Sequence, residues 1–395
     1  MADTTDPRVD ALQREDAVLA PVYGHLPFVP QRAAGCDIVT ADGRHILDLY
    51  GGHAVAALGY SHPRLTQAVT EQTSRLLFQS NAVAMEVRAA ASEKLCAIAP
   101  DGLTHVFHVN SGAEANENAL RIACASTGRK KVLAVTHGFH GRTAAAAAVT
   151  WNAAESWYGF PQLPFEVDFI PRDDVEAALD MITSDVAAVI FEPIQGIAGA
   201  HDLSPAFVLA LRQQTRALGA LLIADEVQCG MGRSGRHFAC EYYGVAPDLL
   251  TNAKSLAGGL PAGVVLMRED LAAALKPGAL GSTFGGGPIA AAAICAVIDA
   301  IEEENLLQNV RDREAQIRES CVGGTVQRIS GMGLLLGLHL DQPAVEIRNQ
   351  LLEQDILTGL SSDPQVLRLL PPLVLNADHV ERLADELHRI QPAAA

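Results

Sequence analysis

Short runs of consecutive apolar residues alternate with longer amphipathic stretches between about residues 50 and 280. The apolar runs predict buried strands at 104–109, 131–136, 187–192, 220–226 and 264–267. The stretches between them predict helices over 113–126, 173–183 and 204–218. Apolar strands separated by helices are typical of a mainly parallel sheet that is covered on both faces. The central part of the chain therefore predicts an α/β fold.

The two ends of the chain have a different pattern. Residues 1–20 predict a short helix, and the Asp42–Gly43 pair predicts a hairpin turn between two apolar runs. A long alanine-rich helix over about 284–304 precedes further pieces at 333–340 and 365–375. We expect an N-terminal segment 1–49 that joins the small domain, a large domain 50–283, and a small α+β domain 284–395.

Composition excludes several classes of protein. The 395 residues are 49% apolar and 19% charged, which is typical of a folded globular protein. The net charge of −17 disfavours nucleic-acid binding, because an acidic surface repels phosphates. There is no apolar run long enough to cross a membrane and no signal-peptide pattern. The seven cysteines form no CxxC pair, so we expect reduced thiols, no metal site and a cytoplasmic location.

Polar residues that directly follow the predicted strands are the candidates for chemistry, because parallel sheets bind ligands at the carboxyl ends of their strands. After strand 104–109, a small polar turn with Ser111, Gly112 and Ala113 opens a helix. The start of a helix attracts anions such as phosphate, although an ordinary capped helix has the same sequence. After strand 131–136, Phe139 suits stacking on a planar ligand and Arg142 suits a carboxylate. The alternative is a core Phe with a surface Arg.

Two later segments add acids and a lysine. Asp225 ends a buried strand and needs a cationic partner, because burying an unpaired charge is costly. Glu192 and Glu226 are interpreted as structural residues that cap or pair nearby loops. Lys254 lies among small and apolar residues, where burial lowers a lysine's pKa and makes it a nucleophile for aldehydes. A lone lysine is more often a solvated side chain.

The segment 281–288 contains Ser282, Thr283 and three consecutive glycines before the long helix. Glycine lets the backbone approach a ligand or a partner subunit closely, and the alternative is a plain hinge.

One cofactor, pyridoxal 5'-phosphate, uses all of these groups together. A lysine binds its aldehyde, and a buried carboxylate keeps its ring nitrogen protonated so that the ring accepts electrons. The roles would be Lys254 for the aldehyde, Asp225 for the ring nitrogen, residues 110–113 and Thr283 for the phosphate, Phe139 and Val227 for the ring faces, and Gln228 for the phenolic oxygen.

The stretch 221–266 closely resembles the signature of class III pyridoxal-phosphate aminotransferases, with Lys254 placed 29 residues after Asp225. Further motifs agree in the family's order: NSGAEANENALRIA, HGFHGRT, EPIQG, GSTFGGGP and LRLLPPL. The acetylornithine, succinylornithine and ornithine aminotransferases are the most similar members. The resemblance implies fold type I, the aspartate-aminotransferase-like architecture, and a homodimer with active sites at the interface.

The resemblance also implies roles for single residues. Thr283, with Ser282 beside it, would reach the phosphate of the neighbouring subunit. Arg368 matches the arginine that holds the α-carboxylate of glutamate, and Arg142 matches one that binds the other carboxylate. Tyr23 would line the entrance. The implied reaction moves the terminal amino group of an N-acylornithine-like donor to the 2-oxo acid 2-oxoglutarate, usually in arginine biosynthesis, with Lys254 moving the proton.

Two positions depart from the family's pattern. Ornithine and acetylornithine enzymes usually read EPIQGE, and that last Glu pairs with the carboxylate-binding arginine. Here the position is Ile197. His53 stands where relatives often have Ile or Tyr near the substrate, and it suits either a substrate hydrogen bond or a structural role.

These departures leave the donor open among N-acylornithine, ornithine, 4-aminobutyrate and diaminobutyrate. Racemases and lyases on the same scaffold also remain, as does a non-catalytic cofactor-binding protein. A nicotinamide dehydrogenase is disfavoured, because no G-x-G-x-x-G follows a strand at the start of the sheet.

Overall fold

The computed structural model describes residues 7–392. The strands, in chain order, are β1 (Pro30–Ala34), β2 (Asp37–Thr40), β3 (His45–Asp48), β4 (Leu103–Val109), β5 (Lys131–Val135), β6 (Glu166–Ile170), β7 (Val186–Phe191), β8 (Ile194–Gln195), β9 (His201–Asp202), β10 (Leu221–Asp225), β11 (Leu249–Asn252), β12 (Gly263–Arg268), β13 (Val326–Met332), β14 (Leu335–Leu340), β15 (Ile356–Leu357), β16 (Gly359–Leu360) and β17 (Val366–Leu369).

The α-helices are α1 (Pro7–Asp16), α2 (Gly51–Ala54), α3 (Pro63–Arg75), α4 (Glu86–Ile98), α5 (Gly112–Thr127), α6 (Ala144–Ala148), α7 (Ala153–Ser156), α8 (Val175–Met181), α9 (Pro205–Leu218), α10 (Glu269–Ala274), α11 (Pro288–Glu303), α12 (Leu306–Ser320), α13 (Ala344–Glu353) and α14 (Ala377–Arg389). Short 3-10 helices cover Ala239–Tyr243 and Lys254–Ala257.

The central sheet has the strand order β4-β12-β11-β10-β7-β5-β6. All five predicted strands are in this sheet, and neighbours from β11 to β6 run parallel, which confirms the mainly parallel prediction. β12 runs antiparallel to both β11 and β4. The sequence analysis missed β6, whose alternate residues are half-exposed, and β11, whose four residues end in Thr and Asn.

Helices cover both faces of this sheet, as the alternating pattern predicts. On one face, apolar residues of α5 such as Ala119 and Leu120 pack against Ile190 and Ile223 of the sheet. On the other face, α8 and α9 pack against strand residues such as Leu222. The predicted helices 113–126, 173–183 and 204–218 correspond to α5, α8 and α9.

The described residues also form two four-stranded sheets, β1-β2-β3-β15 and β13-β14-β17-β16, and a two-stranded sheet of β8 and β9. The predicted turn at Asp42–Gly43 is confirmed, because β2 and β3 pair antiparallel and Gly43 has a φ of 86°. β15 pairs with β3 in parallel, so the N-terminal segment joins a sheet with the C-terminal part. The domain boundaries at 49 and 283 stay predictions.

Two predicted helices, 1–20 and 284–304, have different bounds in the described residues. Residues 1–6 of the predicted N-terminal helix lie outside the described residues, and α1 ends at Asp16. The alanine-rich helix α11 begins at Pro288 rather than 284, because the glycines 285–287 precede it. Across the described range 7–392, no helix combines the length and apolar character that a membrane span requires.

Candidate active site

A cavity of about 440 Å³ opens where β4, β5, β7 and β10 end. It is lined by residues that immediately follow these strands, as expected for a parallel sheet. The sequence-predicted residues that line it are Ser111, Gly112, Ala113, Phe139, Arg142, Asp225, Val227, Gln228 and Lys254. Segments far apart in the chain therefore meet in one cavity.

Asp225 lies at the end of β10 and is only 2% exposed. Its Oδ2 accepts hydrogen bonds from Nδ2 of Asn116 and Nδ1 of His140, both at 2.7 Å. Its Oδ1 accepts from the backbone N–H of Val227 at 3.0 Å. These donors stabilise the carboxylate inside the protein. It therefore suits a hydrogen bond from the protonated ring nitrogen of the implied cofactor.

His140 and Asn116 are functional candidates that the sequence analysis missed. Both lie inside quoted motifs, and both line the cavity. Because a carboxylate only accepts hydrogen bonds, His140 carries a proton on Nδ1. Its Nε2 is buried and has no hydrogen-bond partner among the described residues. The Oδ1 of Asn116 accepts from the hydroxyl of Thr251 at 2.6 Å, which fixes the orientation of the amide.

Lys254 follows β11 and begins a short 3-10 helix. Its φ of 47° is in the left-handed region, a strained position for a non-glycine residue. Burial lowers the pKa of Lys254, and the carboxylates of Asp225 and Glu192 oppose this effect only in part. A lowered pKa enlarges the neutral, nucleophilic fraction of the amine. The side chain therefore suits attachment of an aldehyde.

The turn between β4 and α5 is closely packed against Val227. A Cβ at Gly112 would lie 2.6 Å from Cγ1 of Val227, so a glycine is required there. Ser111 is the N-cap of α5, and its hydroxyl accepts from the N–H of Glu114 at 3.2 Å. The first N–H groups of a helix lack intrahelical partners, and this end lines the cavity. The turn fits a phosphate.

Two more side chains of the cavity fit the implied cofactor. The Oε1 of Gln228 is buried and has no hydrogen-bond partner in the described part of the chain. A Cβ at Gly196 would lie 1.6 Å from this oxygen, so the glycine makes room for the amide. Gln228 thus retains polar capacity for a ligand. Phe139 lies on the cavity beside Arg142.

Glu192 also lines the cavity. The sequence analysis interpreted it as a structural residue only. Its Oε1 accepts from the backbone N–H of Phe139 at 2.8 Å. Burial, with the nearby charge of Asp225, raises the pKa of Glu192 to about 7. Glu226, by contrast, accepts from the N–H groups of Ala239 and Cys240 at 2.9 and 2.7 Å, which is the structural role expected.

The two arginines are held differently. The guanidinium of Arg142 stacks over Trp157 at 4.5 Å and Phe139 at 5.9 Å, measured to the ring centroids. Arg368 does not line the cavity, but its Nη1 donates to the carbonyl of Gly196 at 3.2 Å, next to Ile197, which does. Its charge also acts to lower the pKa of Lys254.

The remaining predicted residues lie outside the cavity of this single chain. Tyr23 is 84% exposed and does not contact it. The carbonyl of His53 accepts from Nε2 of Gln228 at 3.5 Å, so His53 borders the site. Ser282 lies near the turn, where its hydroxyl accepts from Nδ2 of Asn110 at 3.1 Å. Thr283 is exposed to solvent.

Comparison with known proteins identifies the relatives of this chain. Residues 18–391 match the family described as Aminotransferase class-III. An acetylornithine aminotransferase of Methanopyrus kandleri is 38% identical over 96% of this chain and 98% of its own length. One of Streptomyces coelicolor is 40% identical over 97% and 96%.

Among solved structures, an ornithine aminotransferase from Toxoplasma gondii, with partial occupancy of pyridoxal phosphate at its active site, has a TM-score of 0.90. It is 27% identical and covers 97% of this chain, which covers 93% of it. The architecture described above is therefore that of fold type I, as the sequence predicted.

Proposed function

Because the chain belongs to the class III aminotransferases, we propose that it transfers the terminal amino group of an N-acylornithine-like donor to 2-oxoglutarate. The products are a semialdehyde and glutamate. Its cofactor is pyridoxal 5'-phosphate, as in the rest of the family. The names of two relatives at 38% and 40% identity support the choice of donor. The observation that carries the proposal is that Lys254, Asp225 and Arg142 line the same cavity.

We assign cofactor binding to the residues that fit its parts. Lys254 takes the aldehyde, Asp225 the ring nitrogen and Gln228 the phenolic oxygen, while Phe139 and Val227 take the two ring faces. The phosphate goes to Ser111, Gly112 and Ala113. The unpaired Oε1 of Gln228 and the crowded Gly112 support this fit. When bound, the cofactor supplies an electron sink for the pair released at the carbon that bears the amine.

The protein's own groups position the substrate and move the proton. The amine of Lys254, with its lowered pKa, takes the proton from that carbon and returns it later in the reaction. The carboxylate of Asp225, which accepts hydrogen bonds from His140 and Asn116, would hold the ring nitrogen protonated. Arg142 and Arg368 bind the two carboxylates of 2-oxoglutarate.

We also propose that the enzyme is a homodimer with shared active sites. Phe284, which directly follows Thr283, is exposed and packs against the exposed Phe78, with ring centroids 5.5 Å apart. Leu76, Leu77 and Val83 of the same segment as Phe78 are also exposed, and exposed apolar side chains of this kind favour burial against another subunit. In this dimer, Ser282 and Thr283 contact the phosphate in the partner's cavity. Mixing Lys254→Ala with Thr283→Ala subunits should restore activity, because each mixed dimer keeps one intact site; no restoration contradicts shared sites.

The biological setting follows from the proposed donor. Both of the relatives described above are acetylornithine aminotransferases. We accordingly propose a cytoplasmic enzyme of arginine biosynthesis, with small-molecule substrates as its ligands.

A second candidate is another class III activity, either transamination of ornithine, 4-aminobutyrate or diaminobutyrate, or racemisation of an amino acid. The observation in favour of a racemase is Ile197, an uncharged side chain that lines the cavity where ornithine and acetylornithine enzymes usually have Glu.

A screen of donors in half-reactions without acceptor tests both candidates. Pyridoxamine phosphate formation should be fastest with N-acetylornithine. Faster formation with ornithine, 4-aminobutyrate or diaminobutyrate contradicts the proposed donor. Loss of optical activity of an L-amino acid without pyridoxamine phosphate formation identifies a racemase instead.

A further inference from the structure

Arg368 is a buried cation that forms no ion pair with a carboxylate of the described residues. It is 4% exposed, and its three side-chain nitrogens all donate to uncharged oxygens. These are the carbonyls of Leu360 at 2.6 Å and Gly196 at 3.2 Å, and the hydroxyl of Tyr50 at 3.0 Å. Burial lowers the pKa of Arg368, and Tyr50 and the carboxylate of Glu192 oppose this effect only in part. A buried charge without a partner is costly, so this arrangement needs a reason.

Tyr50 connects this arginine to His53. Because Arg368 has only N–H donors, the oxygen of Tyr50 accepts from it, and the Tyr50 hydroxyl proton is free for another acceptor. Nδ1 of His53 lies 2.6 Å from that hydroxyl. Arg368 therefore donates to Tyr50, and Tyr50 donates to Nδ1 of His53. In this arrangement His53 is neutral and carries its proton on Nε2. Burial and the charges of Arg368 and Lys254 also lower the pKa of His53.

The Tyr50 ring is held tightly in this position. A Cβ at residue 359 would lie 1.9 Å from Cε2 of Tyr50, so only glycine leaves room for the ring there. The guanidinium of Arg368 lies over the same ring, 5.6 Å from its centroid. The backbone N–H of Tyr50 donates to Asp48 at 2.7 Å. The hydroxyl of Tyr50 consequently has little freedom to leave its two partners.

His53 lies in an unusual left-handed turn. Residues 51–54 have φ values of 55°, 57°, 65° and 66°, of which the last two belong to His53 and Ala54. Left-handed backbone is unfavourable for residues with a Cβ, so surrounding contacts must hold it. One such contact joins the turn to the residue after the candidate catalytic lysine, because the hydroxyl of Ser255 donates to the carbonyl of Ala54 at 2.8 Å.

We propose that Tyr50 and His53 are positioning residues that orient the guanidinium of Arg368 for a substrate carboxylate, without a competing carboxylate of the described residues. The inference rests on the proposed function in one respect, that Arg368 binds substrate. The neutral Tyr50–His53 pair aims the guanidinium, and Ile197 adds no anion beside it. A bound dicarboxylate supplies the negative charge that neutralises Arg368. The affinity for the dicarboxylate therefore depends on Tyr50 and His53.

The test is a double-mutant cycle on the holoenzyme with glutarate, a dicarboxylate that has neither a carbonyl group nor an amine to react. Calorimetry measures its dissociation constant in the wild type, Tyr50→Phe, His53→Gly and the double variant. Glycine suits the left-handed backbone at 53, so loss of affinity there does not come from strain. His53→Asn tolerates the same backbone and retains an acceptor for Tyr50, and it serves as the rescue variant.

We expect Tyr50→Phe to weaken glutarate binding about tenfold, since one hydrogen bond to a charged group is lost. His53→Gly should weaken it about fivefold in the wild type and less than about twofold in the Tyr50→Phe background, because the two residues act in series. His53→Asn should recover most of the affinity. In steady state, KM for 2-oxoglutarate should rise with little change in kcat.

Equal effects of His53→Gly in both backgrounds, or no effect in either, would overturn the inference. The same holds if wild-type protein fails to bind glutarate, or if Arg368→Gln binds it as well as the wild type. Glutarate carries no amino group, so these results do not depend on the donor. A failed donor screen with an intact glutarate cycle rejects only the proposed substrate.

Discussion

Two buried charges at the site, Asp225 and Arg368, are surrounded in opposite ways. The carboxylate of Asp225 accepts hydrogen bonds from the side chains of His140 and Asn116 and from a backbone N–H. Within residues 7–392, the hydrogen bonds of the Arg368 guanidinium go to two carbonyls and the hydroxyl of Tyr50, and none goes to a carboxylate. The charge of Asp225 is therefore stabilised by donors already built into the protein, whereas Arg368 is oriented but not neutralised.

This difference matches two different tasks. A cofactor stays bound through many turnovers, so its binding groups can be completed within the fold. A substrate must enter and leave, and a cation without a protein counter-charge gains most when a carboxylate arrives. Burial lowers the pKa of Lys254, and the charges of Asp225 and Arg368 act on that pKa in opposite directions. The following variants test this contrast, from the largest expected effect to the smallest.

Lys254→Ala should abolish turnover, with a loss of about 10⁴-fold or more, because it removes both the attachment point and the general base. The half-reaction with N-acetylornithine measures this loss, and the visible absorbance of bound cofactor should shift. Lys276→Ala, at an exposed lysine, is the matched control and should behave as wild type. Retained turnover in Lys254→Ala would remove Lys254 from the mechanism.

Asp225→Asn should lower kcat by about 10²- to 10³-fold, because a neutral amide no longer stabilises a protonated ring nitrogen. Arg368→Gln should act mainly on the KM for 2-oxoglutarate. Steady-state kinetics on the two variants separates the cofactor side from the substrate side. If both variants changed the same parameter, the contrast between the two charges would not hold.

Glu192→Gln measures what it costs to ionise a buried carboxyl group that has no side-chain donors. In the part of the chain that the structure describes, Glu192 accepts hydrogen bonds from backbone N–H groups and from no side chain, and burial beside Asp225 raises its pKa to about 7. When folding raises the pKa of an acid, its ionisation lowers the free energy of unfolding as the pH rises above the unfolded-state pKa. The loss is complete above the folded-state pKa, and there is none below the unfolded-state pKa. The Gln variant should therefore gain up to about 3 kcal/mol of unfolding free energy near pH 9, and nothing near pH 4.

Urea unfolding of the cofactor-free protein across this pH range measures the gain. Glu381→Gln, at an exposed position of α14, should show no such dependence on pH. A constant difference between Glu192→Gln and the wild type at all pH values would contradict the raised pKa.

Ile197→Glu should weaken 2-oxoglutarate binding about tenfold, because the new carboxylate competes with the substrate for Arg368. Residue 197 lines the cavity, and the preceding carbonyl of Gly196 already contacts the guanidinium. Ile197→Gln, similar in size but uncharged, is the control. Equal KM values for the Glu and Gln variants would show that charge at 197 has no part in the contrast.

Much of the site was predictable from the chain alone. Lys254, Asp225 and the turn at 111–113 were assigned from residue types that follow apolar strands, and all of them line the cavity. His140 and Asn116 were missed, although they lie in the quoted motifs. Their bonds to Asp225 span 85 and 109 residues of chain, and no local pattern encodes such a pairing.

The sequence alone determined the alternation of strands and helices, the family and the lysine–aspartate pair, because these depend on local periodicity and on residue types near each other in the chain. Only the tertiary structure decided which groups surround each buried charge. It brought Tyr50 against Gly359 and Arg368, and it wound 51–54 into a left-handed turn that presents His53 to Tyr50. The energy of a buried charge depends on its neighbours in space, and those come from distant segments.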